Sequence, residues 1–473
     1  MNTPLLAETK PLATGPFGLP LLSFIQRDPL GAASHFQREL GDVANLRILF
    51  RRVCYLFNPE AARELLVDHA DDLCKEKRLL KMFQTFQGSN VLTTEGAVWE
   101  RQRRIVTPGF SAKRLLGYME LMSAAIDACI AAELPSVEGD TAEIDVDALT
   151  TRITMDVILR TLFSHVTTRE EAADTSVAIR ALSKQSMREA YWPFVARRWL
   201  PFPGRAEKQK HLSKIDTLID RHINARLNAE QPHELKQDIL DMLLAARDDQ
   251  ASSGNATLTS QEVRANCHVL FGAGFDTAAS ALTWWIGLMA MHPEVVSRLR
   301  MELETAGSDS TIETIARLPF LNATLKETMR LYPPSTALIT RVAQRNLQVA
   351  GILIPKRTLV AIPIWHLHHD SRWFPEPMVF RPERFLPGAP GFPRGAYMPF
   401  GAGPHVCLGQ HFASIEMALI AARLIAEFDF EFADGQSLPQ PYVDLVLKPK
   451  TRIRVRFQRR RASPTLQART RPR

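Results

Sequence analysis

Between Asn266 and Met291 the chain is apolar almost throughout, broken mainly by Asp276, Thr277, Ser280 and Thr283. A run of that length exceeds any ordinary strand and reads as a helix. Thr259, followed three residues later by Glu262, supplies a capping box, so the helix is read from 259 to about 291. A carboxylate at its middle, three hydroxyl neighbours and the lack of charged flanks on both sides argue against lipid. What remains is the centre of a large domain, with other elements packed on every side. That requirement makes the fold mainly α with a smaller β region. Length alone suggests about three domains, yet no stretch is polar enough to act as a linker, and one large unit is expected.

The interior of this helix carries Gly272-Ala273-Gly274-Phe275-Asp276-Thr277. Each mid-helix glycine costs about 1 kcal/mol against alanine, and a buried carboxylate costs several more unless partnered. Glycines thin the helix so that something can lie against it, and an acid beside a hydroxyl can pass protons. Alternatively, Thr277 only bonds back to the Ala273 carbonyl and bends the helix.

A second constraint is the loop from Phe400 to Gly409. Gly401, Gly403 and Gly409 admit backbone conformations closed to other residues and let the chain approach a flat partner. The loop delivers Cys407 to the start of an apolar helix read over 410–428, where unpaired N–H groups and the dipole favour a thiolate. One thiolate without a nearby second cysteine suits a soft metal held from one side, not a tetrahedral zinc site. A structural turn around a buried free cysteine is the alternative. The five cysteines show no paired spacing, which fits a reducing, cytoplasmic setting.

Elsewhere, residues 29–40 read as a helix and 43–57 as two paired strands. Asn58-Pro59 opens a further helix. No period emerges over 74–95, which is read as mobile loop. A helix from Glu95 places Trp99 and Arg103 on one face, either as a carboxylate clamp or as an ordinary amphipathic pair. Helical periods cover 112–133, 143–164, 168–190, 205–229, 233–247 and 321–331, with polar loops at 249–256 and 306–310. Glu327 and Arg330 share a face of the 321–331 helix, and Arg384 could join them. Strands are read at 347–355 and 358–364.

Residues 1–28 form an irregular Pro-rich leader without signal or transmembrane anchor. The net charge of +7 lies almost wholly in a basic tail: residues 457–473 hold six arginines and no acid. A tail read as disordered over 458–473 accounts for the charge without nucleic acid.

In order and spacing, Trp99-x-x-x-Arg103, Ala273-Gly274-x-Asp276-Thr277, Glu327-x-x-Arg330, Pro382-x-Arg384-Phe385 and the cysteine loop resemble the cytochrome P-450 superfamily, the haem-thiolate monooxygenases. The resemblance runs from about Pro11 to Phe457 and implies one catalytic domain over 29–457. It implies haem b (iron protoporphyrin IX) between the long central helix and the helix after the cysteine loop, with Cys407 as the axial metal ligand and Phe400 and Gly401 beside it. Trp99, Arg103, Arg341 and His405 would hold the propionates. His405 stands where many members have arginine, which makes that contact pH-dependent. Glu327, Arg330 and Arg384 would form a structural lock.

The implied reaction inserts one atom of O2 into a C–H or C=C bond of a lipophilic substrate. Thr277 and Asp276 would deliver protons, and the notch at Gly274 would give the oxygen room. Ala273, Thr336 and Ala337 would line the pocket, with walls from 75–95, 185–205, 335–339 and 442–447. Lys75, Lys77, Arg78 and Lys81 read as a solvated charge run, the alternative being a catch for a substrate carboxylate. Electrons would come from a separate ferredoxin- or flavodoxin-type donor and its reductase, with NAD(P)H used only indirectly. Arg101, Arg104, Lys113 and Arg114 are either the positive surface for that donor or a solvated helix face. Alternatives are a non-oxygenating isomerase or dehydratase on the same scaffold, and a haem-based sensor or electron carrier.

Overall fold

The computed structural model describes residues 18–190, 204–228, 238–246, 258–307, 311–433 and 435–460. The leader up to 17, the 249–256 loop, most of the 185–205 wall and the tail from 461 lie outside the described residues.

The central helix spans Ser260–Met291. Thr259 Oγ1 accepts from the Glu262 N–H, and a Glu262 carboxylate oxygen accepts from the Thr259 N–H, closing the capping box. Most of its side chains are buried, including Trp284 and Trp285. Trp284 stacks on Tyr332 with centroids 4.0 Å apart. Helices Val146–Phe163, Pro319–Leu331 and Gln410–Glu427 pack directly on it. Helix Ala112–Glu133 packs on the first and last of these. It is the one helix among the described residues long and apolar enough to cross a membrane. Its apolar face, with Tyr118, Met122 and Ile126, is instead buried in the same core.

The larger sheet has five strands in the order Val43–Ile48, Arg51–Leu56, Leu359–Ala361, Arg341–Ala343 and Leu73–Lys75. The second and third are parallel, and the other neighbours are antiparallel. A three-stranded antiparallel sheet joins Thr141–Asp145, Arg454–Arg459 and Phe428–Phe432. The hairpin of Pro441–Val443 and Leu447–Pro449 lies along the central helix: Ser280 Oγ and Trp284 Nε1 both donate to the Leu447 carbonyl, at 2.6 and 3.3 Å.

Several readings are corrected. Residues 74–95 are not mobile loop: a strand ending at Lys75 leads into helix Lys77–Gln87, capped by the Glu76 carboxylate, which accepts from Leu79 N–H. The leader contains a helix at Leu19–Arg27, with proline at its start. The 347–355 strand is itself a hairpin, turning at Ala350 and Gly351, both with positive φ. Arg459 is no part of a tail: it ends a paired strand and bridges to Glu427.

Candidate functional site

The loop before helix Gln410–Glu427 is held by its own backbone. Gly401 N–H donates to the Met398 carbonyl, Cys407 N–H to Phe400 and Val406 N–H to Gly403. Gly403 has φ +72°, and a Cβ there would stand 2.0 Å from the Leu66 carbonyl oxygen, so only glycine fits. Gly409 has an ordinary φ of −85° and needs no such freedom.

The loop presents Cys407 so that solvent reaches its side chain although protein crowds it on most sides. That crowding raises the thiol pKa, outweighing the Gly409 N–H and the charge of Arg103, which both pull it down. The helix start by itself therefore does not favour a thiolate here. A bound metal would deprotonate it.

Beside the cysteine, Arg103 Nη2 donates to the Val406 carbonyl at 2.9 Å. Trp99 lies over His405 with ring centroids 3.9 Å apart. Arg341 is buried on its strand, and its Nη1 donates to the Ile339 carbonyl. Lys75, read from sequence as part of a solvated run, is buried here. Its Nζ donates to the Leu92 and Thr94 carbonyls, pairs with Glu95 at 3.2 Å and stands 5.9 Å from the Trp99 ring. Burial lowers its pKa to about 8, with Arg341 and Arg103 adding to the shift and Glu95 opposing it.

Burial and the charges of Lys75, Arg341 and Arg103 push the His405 pKa down to about 3. Three cations, Lys75, Arg103 and Arg341, thus surround His405, and Glu95 pairs with Lys75. A soft sulfur donor and an adjacent excess of positive charge fit a haem, whose iron takes a thiolate and whose edge carries two carboxylates.

Further back, Arg330 makes a bidentate pair with Glu327, both bonds 2.8 Å and both side chains fully buried. Arg384 Nε stands 3.4 Å from the same carboxylate. Arg330 also donates to the His368 and Pro377 carbonyls.

On the central helix, most of which is buried, Ala273 is exposed and Thr277 partly so. Thr277 Oγ1 donates to the Ala273 carbonyl at 2.8 Å. Gly274 does not open toward the cleft: a Cβ there would meet Ile158 Cδ1 at 3.0 Å, so this glycine lets helix Val146–Phe163 close in. Asp276 is not a carboxylate waiting on solvent. Lys448 Nζ donates to it at 2.8 Å, Arg180 Nε lies 3.6 Å away, and Asp147 takes up the other side of both cations. These four groups line a polar pocket of about 250 Å³ shared with Tyr442 and Asp444. Sequence reasoning missed Lys448, whose partner is 172 residues away.

Thr336 and Ala337 lie in the loop before strand Arg341–Ala343, where the Trp365 N–H donates to Thr336 O and Ser335 Oγ donates to Ala337 O. Leu338 of this loop approaches Gly401. Arg101 is tied to Glu262 of the central helix, which removes it from the proposed positive face, whereas Lys113 and Arg114 are exposed.

Residues 10–457 match the family model described as Cytochrome P450. The chain is similar to a cytokinin hydroxylase of Arabidopsis thaliana, 30% identical over 84% of this chain and 77% of that protein. It is also similar to the putative cytochrome P450 132 of Mycobacterium tuberculosis, at 29% identity over 89% and 90% of the two chains. Among solved structures, the retinoic acid-bound cyanobacterial CYP120A1 superposes with a TM-score of 0.79 at 26% identity, covering 95% of this chain and 99% of that one.

Proposed function

This chain belongs to the cytochrome P450 family, a haem-thiolate monooxygenase family, and from that premise we propose that it oxygenates a lipophilic organic substrate with electrons from a separate donor. The observation that carries the reading is Cys407, a free, solvent-reached thiol on a glycine-rich loop, with Lys75, Arg103 and Arg341 gathered beside it. When bound, haem b supplies the redox chemistry that activates dioxygen. The chain does the rest.

Cys407 would ligate the iron, and Arg103, Arg341, Lys75, Trp99 and His405, which packs on Trp99, would hold the cofactor's carboxylates. Phe400 and Gly401 brace the loop, the Phe400 carbonyl accepting from the Cys407 N–H and the Gly401 N–H donating to Met398 O. Glu327, Arg330 and Arg384 keep the cysteine loop's foundation rigid. Thr277 carries the proton nearest the cleft. Its hydroxyl donates to Ala273 O and has lone pairs to accept from water; a χ1 turn points the donor into the cleft. Asp276, next in the chain to Thr277 and held by Lys448 and Arg180, lines the polar pocket.

The exposed Ala273, on a central helix that is otherwise largely apolar, favours a lipophilic substrate. Because CYP120A1 was solved with retinoic acid, that compound is a rational first ligand. A ferredoxin- or flavodoxin-type donor, reduced in turn by NAD(P)H through its reductase, completes the system. The test is the reduced, carbon monoxide-bound spectrum of purified protein and of Cys407→Ser. Thiolate ligation should be seen in the first and be lost in the second. A histidine-type spectrum in the first would refute the assignment.

A further inference from the structure

A further cavity, of about 230 Å³, lies between helix Pro319–Leu331, residues 397–401 and helix Gln410–Glu427. Cys407, Trp99, Arg103, Arg341 and Thr277 do not line it, whereas Phe400 and Gly401 do. Its apolar lining includes Leu325, Met329, Met398 and Met417, all buried, together with Tyr397 and Phe400. A thioether sulfur is polarisable and makes favourable contacts with the edges of aromatic rings. Three methionines and two aromatic residues around one space therefore select a flat ring over a branched aliphatic group.

The polar lining carries one charge, Lys326, which is exposed and has no ion-pair partner among the described residues, and no acid lines the cavity. Most of the other polar groups already donate to backbone: Asn322 Nδ2 to the Ala316 and Leu318 carbonyls, Ser414 Oγ to Gln410 O, and Tyr397 Oη to Lys326 O. The Lys326 ammonium and the Gln410 carboxamide remain as uncommitted donors among the described lining residues. One cation and one amide beside an apolar space suit a single carboxylate, and a second would have no counter-charge. Size narrows the class further. An apolar cavity of about 150 Å³ accepts benzene, so 230 Å³ accommodates one ring with its carboxylate and is too small for a polycyclic skeleton.

We propose that this cavity is an effector site for a small aromatic monocarboxylate, with the ring among the methionines and the carboxylate on Lys326 and Gln410. The occupant rests on Phe400 and Gly401, through which the cysteine loop is tied: Phe400 O accepts from the Cys407 N–H, and the Gly401 N–H donates to Met398 O. Filling the space therefore bears on the loop that carries the thiol without touching the thiol. The coupling to an iron-bound sulfur rests on the monooxygenase reading, and the binding site itself does not.

The test titrates holoenzyme with 4-fluorobenzoate, 4-fluorobenzamide and 4,4-difluorocyclohexanecarboxylate, followed by fluorine NMR. The benzoate should bind saturably, and the neutral amide about tenfold more weakly, the scale of one hydrogen bond to a charged group; the saturated ring should also bind more weakly than the benzoate. Lys326→Met should weaken the benzoate about tenfold and erase its advantage over the amide. Ser414→Phe, which places a ring in the cavity, should abolish binding. Both variants should keep the parent's carbon monoxide spectrum. Saturating benzoate should shift the iron–sulfur stretching band of the ferric parent and leave that of Ser414→Phe unmoved. No saturable binding, equal affinity for acid and amide, binding that survives in both variants, or an unmoved band in the parent would overturn the proposal. A histidine-type carbon monoxide spectrum in the parent would instead sink the monooxygenase reading, and the fluorine titrations would still decide the site.

Discussion

At the scale of single residues, the two halves of the acid–alcohol pair differ in what surrounds them. Thr277 meets the cleft, and its hydroxyl bond to Ala273 O is the local back-bond open to any helical threonine. Replacing it by alanine should leave the fold and cofactor content intact but divert reducing equivalents to peroxide. Comparing peroxide formed with NAD(P)H consumed measures this, and unchanged coupling would remove the residue from proton delivery. Asp276 answers to Lys448, and in Lys448→Met it would keep only the more distant Arg180. The expected outcome is a changed solvent isotope effect on turnover, with substrate affinity largely retained. A variant identical to the parent in both would make the ion pair a purely structural anchor for the hairpin. These distinctions were not legible in the sequence. Asp276 and Thr277 are neighbours along the chain, but Lys448, Arg180 and Ile158 reach them only through the tertiary fold. The same holds for Lys75, which reads as one charge in a basic run until its strand buries it beside Trp99.

At the scale of elements, what could be read was what local physics enforces. The capping box at Thr259, the Asn58-Pro59 start and the long apolar periods all appear at their expected places, because a cap and a 3.6-residue stripe need no distant partner. Helix Lys77–Gln87 was lost because it is short, rich in polar residues and capped by a glutamate. The spacing Leu79-Leu80, Phe83, Phe86 was its available signal.

The short helix Ile364–His368 carries a hazard that only burial exposes. His368 Nε2 accepts from the Met398 N–H at the foot of the cysteine loop, and a protonated ring cannot accept there. Burial, with adjacent His369 and Arg330, pushes its pKa down to about 3, and burial pushes His366 to about 4. Both values lie below the ordinary histidine range, so unfolded chains bind protons that the folded chain refuses. Stability is then full above about pH 6.5 and falls as pH drops toward 4, at about 1.4 kcal/mol per pH unit for each ring. His369, His222 and His405 have depressed pKa values as well, so urea unfolding at pH 7, 6 and 5 should show a slope of several rings, and His368→Gln, which keeps an acceptor for Met398, should lower it by one ring's share. A slope unchanged by the substitution would place the acid sensitivity elsewhere. In the same region Glu327→Gln leaves the Arg330 guanidinium buried without its counter-charge, at a cost of about 3–5 kcal/mol. That should appear as a lower melting temperature even for chains that retain cofactor.

At the scale of the whole molecule, the chain must pass electrons from a partner to the cysteine side of the cleft, and the packing indicates where. Helix Ala112–Glu133 begins next to the helix that follows Cys407, with Phe110 and Phe412 rings 6.4 Å apart. Lys113 and Arg114, exposed in its first turn, therefore stand on the cysteine side of the fold. Arg101 does not belong with them, since Glu262 neutralises it. An acidic donor approaching this face would be steered by charge, which raises the association rate more than the final affinity and is screened by salt. Reduction by an acidic ferredoxin should therefore slow as ionic strength rises. Lys113→Glu with Arg114→Glu should slow it further at low salt while leaving the carbon monoxide spectrum and substrate binding untouched. Arg101→Gln should instead lower stability with little effect on the salt dependence, because it breaks an internal tie between helix Gly96–Val106 and the central helix. If the double variant were reduced as fast as the parent at every salt concentration, the donor would have to dock on another face. The steering argument would then fail while the assignment of Cys407 stood.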